Sequence, residues 1–244
     1  SEYDVGDPRR YYKYRVVFQG NNVKGQNWDT ALFNEMQSTP ATLEASRIAD
    51  IYSCMRQPDG EKHTVETRDV EQAYLQAEMR GPPVYIMLPE ELWTEDMKKM
   101  ECPVFPLHKA LYGHKHSGVF WQEHCHKQAT NAGFVPLSTA SRPCVYWNDE
   151  LKLLLIIYVD DMKLAGPAKN MAKAWKAIGE NIVLEPQKGD DVGPSTDGKT
   201  KLTFLGCEMT KQRREIRPGQ WAETIEYNIS KQLKRALAKY EEAV

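Results

Sequence analysis

Leu153-Leu154-Leu155-Ile156-Ile157-Tyr158-Val159-Asp160-Asp161-Met162-Lys163-Leu164-Ala165-Gly166 is the stretch on which the reading of this chain turns. It opens as an apolar run with β-branched residues, the pattern of a buried strand. The run stops at two adjacent carboxylates. Apolar residues resume on alternate positions at Met162 and Leu164, and Gly166 ends the pattern. Strand, tight acidic turn and second strand is the simplest arrangement, and it holds Asp160 and Asp161 at the edge of an apolar sheet. Two such carboxylates repel each other unless a cation neutralises them. Oxygen ligands of this kind suit Mg²⁺, which often uses one or two carboxylates plus substrate phosphates. The competing reading is a solvated hairpin tip. The apolar strand leading through Tyr158-Val159 into the pair favours a metal site.

A third carboxylate belongs to a similar pattern. Val65 to Val70 reads as a strand that ends near Asp69, and Glu71 to Leu75 reads as the helical turn leaving it. If this strand neighbours the first, three carboxylates converge and can hold two metal ions about 3.5–4 Å apart, an arrangement for in-line phosphoryl or nucleotidyl transfer. A lone strand-end Asp also serves as a cap, and the pattern alone leaves both readings open.

Working outward, the 244 residues suffice for a large core in one or two domains. Hydrophobic residues make up 41% and charged residues 27%, ordinary for a globular protein. No apolar run approaches the ~20 residues of a membrane span, so no membrane partner is expected. Ser1 to Arg10 is a polar lead-in with no signal-peptide pattern. Five scattered cysteines without Cys-x-x-Cys suggest reduced thiols in an intracellular protein. A formal net charge of -2 argues mildly against a chain that grips nucleic acid over its whole surface. The balance is uneven, however. Lys211 to Arg235 holds seven Lys or Arg against three Glu, and Ser1 to Gly25 holds five against three acids.

Tyr11 to Phe18 has strand propensity, and Gly20-Asn21-Asn22 reads as a turn. Thr39-Pro40 fits a helix start for a stretch running to Met55, with Leu43, Ile48, Ile51 and Tyr52. Gln57-Pro58-Asp59-Gly60 is a turn by composition. Short strands are expected at Val84 to Leu88, Pro103 to Leu107, Cys144 to Trp147 and Thr203 to Cys207. Helices are expected at Ser117 to Ala132, Ala168 to Ile182 and Ile225 to Tyr240. The interleaving gives an α+β fold with a mostly antiparallel sheet.

Tyr158-Val159-Asp160-Asp161 resembles the Tyr-x-Asp-Asp box of reverse transcriptases. Asp69-Val70-Glu71-Gln72-Ala73-Tyr74 resembles their first carboxylate motif, Asp-Val-x-x-Ala-aromatic. Ala110-Leu111-Tyr112-Gly113-His114-Lys115 is similar to the Leu-Tyr-Gly-Leu-Lys-Gln segment of copia-type retrotransposon polymerases, and Trp121, Gly133-Phe134 and Phe204-Leu205-Gly206 fall where that family has Trp, Gly-Phe and Phe-Leu-Gly. Tyr12-Lys13-Tyr14-Arg15-Val16-Val17 is similar to its fingers entry. The matches run in family order from about Tyr11 to Tyr227. The chain departs at His114, at His116 and at Ser117-Gly118-Val119, which stands where Ala-Pro-Arg is usual.

The resemblance implies a right-hand polymerase: fingers over 11–66 and 78–108, palm over 67–77 and 109–212, helices on one face of the palm sheet, and the start of a largely absent thumb over 213–244. It implies an RNA-directed DNA polymerase with two Mg²⁺ ions, Mn²⁺ able to substitute, held by Asp69, Asp160, Asp161 and the backbone of Val70. Glu71, Gln72 and Ala73 would face the triphosphate, Tyr74 would be a steric gate against the sugar, and Lys13 and Arg15 would pair with phosphate oxygens. Template and primer would meet Tyr112, Gly113, Lys115, Tyr158, Val159, Phe204, Leu205, Gly206, Arg213, Arg214 and Arg217. Partners would be an RNA template, a DNA or RNA primer, deoxynucleotides, and ribonuclease H and integrase domains of a longer Pol polyprotein, in the cytoplasm and in virus-like particles.

Other patterns compete. Gly193 to Thr200 matches a P-loop letter for letter, but a polar loop precedes it and a strand is expected after it, so no helix N-terminus would face a phosphate. His114, His116, His124, His126 and Cys125 carry zinc chemistry without a coherent helix face. Asp190-Asp191 reads as a solvated pair in a Gly-rich loop. Beside the polymerase stand two further hypotheses, a polymerase fold without catalysis that binds nucleic acid and, more distantly, a P-loop hydrolase.

Overall fold

The computed structural model describes residues 15–24, 43–55, 60–137, 144–186 and 199–243. Lys13, the helix start at Thr39-Pro40, the turn at Gln57-Pro58-Asp59, Asp190-Asp191 and most of the P-loop-like segment lie outside these residues. Five strands form the central sheet: β1 (His63–Asp69), β4 (Val135–Pro136), β5 (Val145–Asn148), β6 (Leu153–Tyr158) and β7 (Asp161–Pro167), in the order β4-β5-β6-β7-β1 with every neighbour antiparallel. The strand expected before the acidic pair is thus β6, and its neighbour β7 separates it from β1.

β6 lacks polar alternation because both of its faces are covered. Leu153, Leu155 and Ile157, with Met162 and Leu164 of β7, pack in a core with Phe120 and Trp121 of α3 (Ser117–Asn131) and Trp175 and Ile178 of α4 (Met171–Gly179). Leu154 and Ile156, with Val65 and Ala165, pack on the other face against Ala49 of α1 (Leu43–Cys54). That second core is completed by Leu202, Phe204 and Met209 of a three-stranded sheet, β8 (Thr200–Phe204), β9 (Cys207–Arg217) and β10 (Gln220–Asn228). Helices therefore do not cover one face alone, as the resemblance implied. One helix and a second sheet cover the other face. A small hairpin, β2 (Tyr85–Met87) with β3 (Val104–Pro106), lies apart from both sheets.

Two local expectations change. Leu205-Gly206 is not strand interior: Phe204 pairs with Cys207, and both intervening residues have positive φ, +52 and +73, so they form the β8–β9 turn. Ile225 to Tyr227 is strand, paired to Lys211 through Met209, and helix α5 begins only at Ser230 (Ser230–Ala243). In α1 the apolar residues Leu43, Ile48 and Ile51 are exposed, while Ser46, Ala49, Asp50 and Ser53 are buried. The polar buried face of α1 is satisfied by lysines. Lys163 of β7 is fully buried and donates to both carboxylate oxygens of Asp50, at 2.9 and 3.0 Å, and to Ser46 Oγ at 2.7 Å. Lys211 of β9 donates to the carbonyls of Ser53 and His63, at 2.5 and 2.8 Å, and so caps the C-terminal turn of α1 while holding the start of β1. Removing one partner of the buried Lys163–Asp50 pair costs about 3–5 kcal/mol.

Candidate active site

β1 and β7 bring the carboxylates together. Asp69 and Asp161 are the last register pair of the two strands, and Asp161 also pairs with Tyr158 across the β6–β7 hairpin. The hairpin turn is Val159-Asp160 alone, so Asp161 sits on β7 rather than in the turn. Residues directly opposite on antiparallel strands have Cβ atoms about 4.5–5.5 Å apart on one face. Asp160 is exposed beside them, and its backbone carbonyl accepts from Val70 N at 2.8 Å. On the other side, Trp121 Nε1 donates to the carbonyl of Val159 at 2.6 Å. Val159 has φ +56, a conformation that costs a β-branched residue strain and that two-residue hairpins usually give to Gly. The turn is thus held from α3 and from the end of β1.

Among the described residues no group of three or more His, Cys, Asp or Glu side chains is already set as a metal cage. The donor chemistry at this sheet end is nonetheless all oxygen: the carboxylates of Asp69, Asp160 and Asp161 and the backbone of Val70. That set fits Mg²⁺, which takes its remaining ligands from water and substrate phosphates.

Beyond β1 the chain turns sharply. Glu71 N donates to Val183 O and Glu185 N to Asp69 O, at 3.0 and 2.8 Å, which pins the turn to the segment after α4. Gln72 takes a left-handed conformation (φ 46, ψ 47) ahead of the short helix α2 (Ala73–Gln76). Glu71 and Gln72 are exposed, and Ala73 is buried. Half-buried Tyr74 lies with its ring centroid 4.7 Å from that of Tyr112, and the Arg15 guanidinium lies 5.4 Å from the Tyr112 centroid. Burial, and then the Asp160 carboxylate, raise the pKa of both tyrosine hydroxyls, while Arg15 lowers that of Tyr112. Asp160, Tyr74, Tyr112 and Arg15 therefore share one neighbourhood.

Gly113 and Tyr112 also dock the 15–24 segment. With φ +92 Gly113 lies so close to this segment that a Cβ would stand 2.0 Å from the carbonyl oxygen of Phe18. Phe18 N donates to Tyr112 O at 2.6 Å. Gly113→Ala is expected to undock this segment, and Arg15 with it, at a cost of about 1–3 kcal/mol from backbone strain alone. Faster hydrogen exchange at the Phe18 amide, with the sheet amides unchanged, would show it.

The five residues with zinc chemistry form no metal-ligand group among the described residues. His126 meets the Tyr146 hydroxyl at 3.3 Å, His124 stacks on Trp121, and His114 and His116 meet Phe120. Buried Cys125 has its thiol pKa pushed up to about 12. Lys115 is exposed. Thr200, the last residue of the P-loop-like segment, opens strand β8 rather than a helix.

Comparison with known proteins bears on the same residues. The profile of the family described as reverse transcriptase (RNA-dependent DNA polymerase) matches residues 6–185, a span that contains all three carboxylates. The chain belongs to the reverse transcriptase family. It is also 29% identical over 207 residues to the retrovirus-related Pol polyprotein from transposon TNT 1-94 of Nicotiana tabacum, a match covering 83% of this chain and 14% of that relative. The chain thus corresponds to a copia-type reverse transcriptase region and spans about a seventh of the polyprotein it matches. No helix among the described residues is long and apolar enough to cross a membrane.

In this reverse transcriptase domain Phe204 is 4% exposed and lies beneath the Lys163 ammonium, so its side chain is part of the second core. Leu205 and Gly206 lie on the adjoining turn, where Leu205 is 38% exposed. Arg213, Arg214 and Arg217 stand on the exposed half of β9. Arg213 lies over Trp221, and Arg214 pairs with Glu226 at 2.5 Å. Two site features escaped the sequence reading. The Trp121 bond to Val159 had no local signal. Lys163 did have one, since a lysine inside a buried strand needs a buried partner.

Proposed function

We propose that this domain is the catalytic core of an RNA-directed DNA polymerase, which adds deoxynucleotides to a primer 3′ end by two-metal nucleotidyl transfer. The observation that carries this reading is the pairing of Asp69 with Asp161 beside Asp160 at one end of the central sheet. Fingers over 11–66 and 78–108 and palm over 67–77 and 109–212 would organise the right hand, with 213–244 opening the thumb. β1 begins at His63, so the palm would take its first residues a little before 67. Bound Mg²⁺ would lower the pKa of the primer hydroxyl and neutralise charge on the departing pyrophosphate. Asp69, Asp160, Asp161 and the Val70 backbone would hold the ions. The exposed turn Glu71-Gln72 would lie along the triphosphate, with Arg15, and Lys13 before it, offering charge-assisted bonds to its oxygens. Tyr74, braced by Tyr112, would close the site on the sugar side. An RNA template, a primer and other Pol domains would be its partners.

Primer extension tests this reading. An RNA template with an annealed DNA primer, deoxynucleotides and Mg²⁺ should give extension that EDTA abolishes. A folded protein that binds primer–template and never extends it would instead favour a non-catalytic nucleic-acid-binding module. Arg217→Glu on exposed β9 should weaken primer–template binding alike for all sequences and flatten the slope of log affinity against log salt by about 1. Fluorescence anisotropy titrations across salt concentrations would measure it, and an unchanged slope would remove Arg217 from the nucleic-acid surface.

A further inference from the structure

Lys163 lies on the same strand and the same face as Asp161, two residues farther in, and its register partner on β1 is Thr67, two residues before Asp69. Along a strand that places it about 7 Å inside the carboxylate pair. Its ammonium gathers the elements of the second core. It bonds Ser46 and Asp50 of α1, lies 4.5 Å from the Phe204 ring centroid on β8, and lies 3.7 Å from Met209 Sδ on β9. Asp50 carries the contact onward, accepting from the Tyr227 hydroxyl of β10 at 2.7 Å. One buried cation thus joins the catalytic strand to α1 and, directly or through Asp50, to all three strands of the second sheet.

We infer that Lys163 and Asp50 are positioning residues that set where the Leu205-Gly206 turn stands relative to Asp69 and Asp161, and so where a primer end is held. This rests on the polymerase reading above and on the primer contact that the resemblance implies for Leu205 and Gly206. Stability alone does not call for an ion pair here, because a well-packed apolar pair of similar volume is often equally stable or more so. The ion pair adds direction. Hydrogen bonds of defined geometry fix the distance between two sheets that apolar contacts would let slide. Phe204, under the ammonium, and Cys207 form the last ladder pair before the turn, so a displacement of Phe204 passes straight into Leu205 and Gly206. Gln232 of α5 donates to the Gly206 carbonyl, so α5 would move with it.

The test compares wild type with Asp50→Leu/Lys163→Met and with Tyr227→Phe. The double variant removes both charges together and so avoids stranding either one. If it folds with a wild-type melting temperature, its primer–template Kd should still weaken by about tenfold, which is about 1.4 kcal/mol. Hydrogen exchange at the amides of Leu205 to Met209 should accelerate in step, and the KM for deoxynucleotide should stay within about twofold, since the Tyr74 neighbourhood is untouched. A folded double variant with wild-type primer–template Kd and wild-type exchange at the turn overturns the inference. Should the double variant not fold, Tyr227→Phe carries the test. It leaves the ion pair and removes the link to β10, and the same two readouts should move in the same direction; if neither moves, the inference fails. A wild-type protein that binds primer–template without extending it would sink the polymerase reading, while Kd and exchange still decide the clasp.

Discussion

Asp69→Asn and Asp160→Asn are each expected to abolish nucleotide addition while leaving the fold intact. Both substitutions keep volume and remove an anion, and oxygen-only coordination of Mg²⁺ depends on the anions. The loss should exceed the roughly tenfold to hundredfold that follows when a residue merely orienting a metal ligand is removed. A drop of at least about a thousandfold in single-turnover extension rate, some 4 kcal/mol of barrier, is the expected scale. Stability should move the other way. Asp69 and Asp161 are directly opposed on neighbouring strands, and like charges in such pairs are destabilising by roughly 0.2–1 kcal/mol. Asp69→Asn should therefore melt at or slightly above the wild-type temperature, whereas Asp160→Asn, at an exposed turn, should barely shift it. Extension at the wild-type rate by either folded variant would remove that carboxylate from the site.

The second large effect concerns the sugar. Tyr74 is expected to exclude ribonucleotides by occupying the space of the 2′-hydroxyl, so bulk matters more than the phenolic oxygen. Its ring rests against Tyr112 and borders the main core, which also supports a purely structural role. Sugar selectivity separates the two. Tyr74→Phe should keep discrimination. Tyr74→Val should raise the ribo-to-deoxyribo ratio of kcat/KM on the order of a hundredfold, within the range that small changes of pocket volume produce, with only a modest loss for deoxynucleotides. A structural role predicts equal losses for both sugars and an unchanged ratio.

Much of the site was legible because its signals are local. An apolar run ending in two carboxylates marked β6 and its turn, and burial on both faces explains why that run shows no alternation. The Asp69 to Asp161 pairing was legible only as a conditional, since register between strands more than ninety residues apart depends on tertiary contacts. The misread segments have physical causes. Ile225 to Tyr227 joins a strand because β9 supplies partners along its whole length, and that pairing overrides any helical pattern. Leu205-Gly206 turns because Gly at positive φ permits a two-residue hairpin inside what reads as an apolar strand. In α1 the face toward the core carries Ser46, Asp50 and Ser53 beside Ala49, a pattern that apolar periodicity does not mark. The lysines that satisfy that face lie more than a hundred residues later in the chain.

The left-handed backbone at Val159 sets a trap for anyone hardening this protein against heat. Backbone strain of this kind stores about 1–3 kcal/mol, and relieving it with Gly is the sort of gain a thermal-survival screen rewards. Yet Val159 packs against the main core, and its carbonyl is gripped by Trp121. Relaxing it would loosen the residue next to Asp160. A screen on melting temperature alone would enrich for variants that survive heating and polymerise poorly, so the selection has to read synthesis as well as survival.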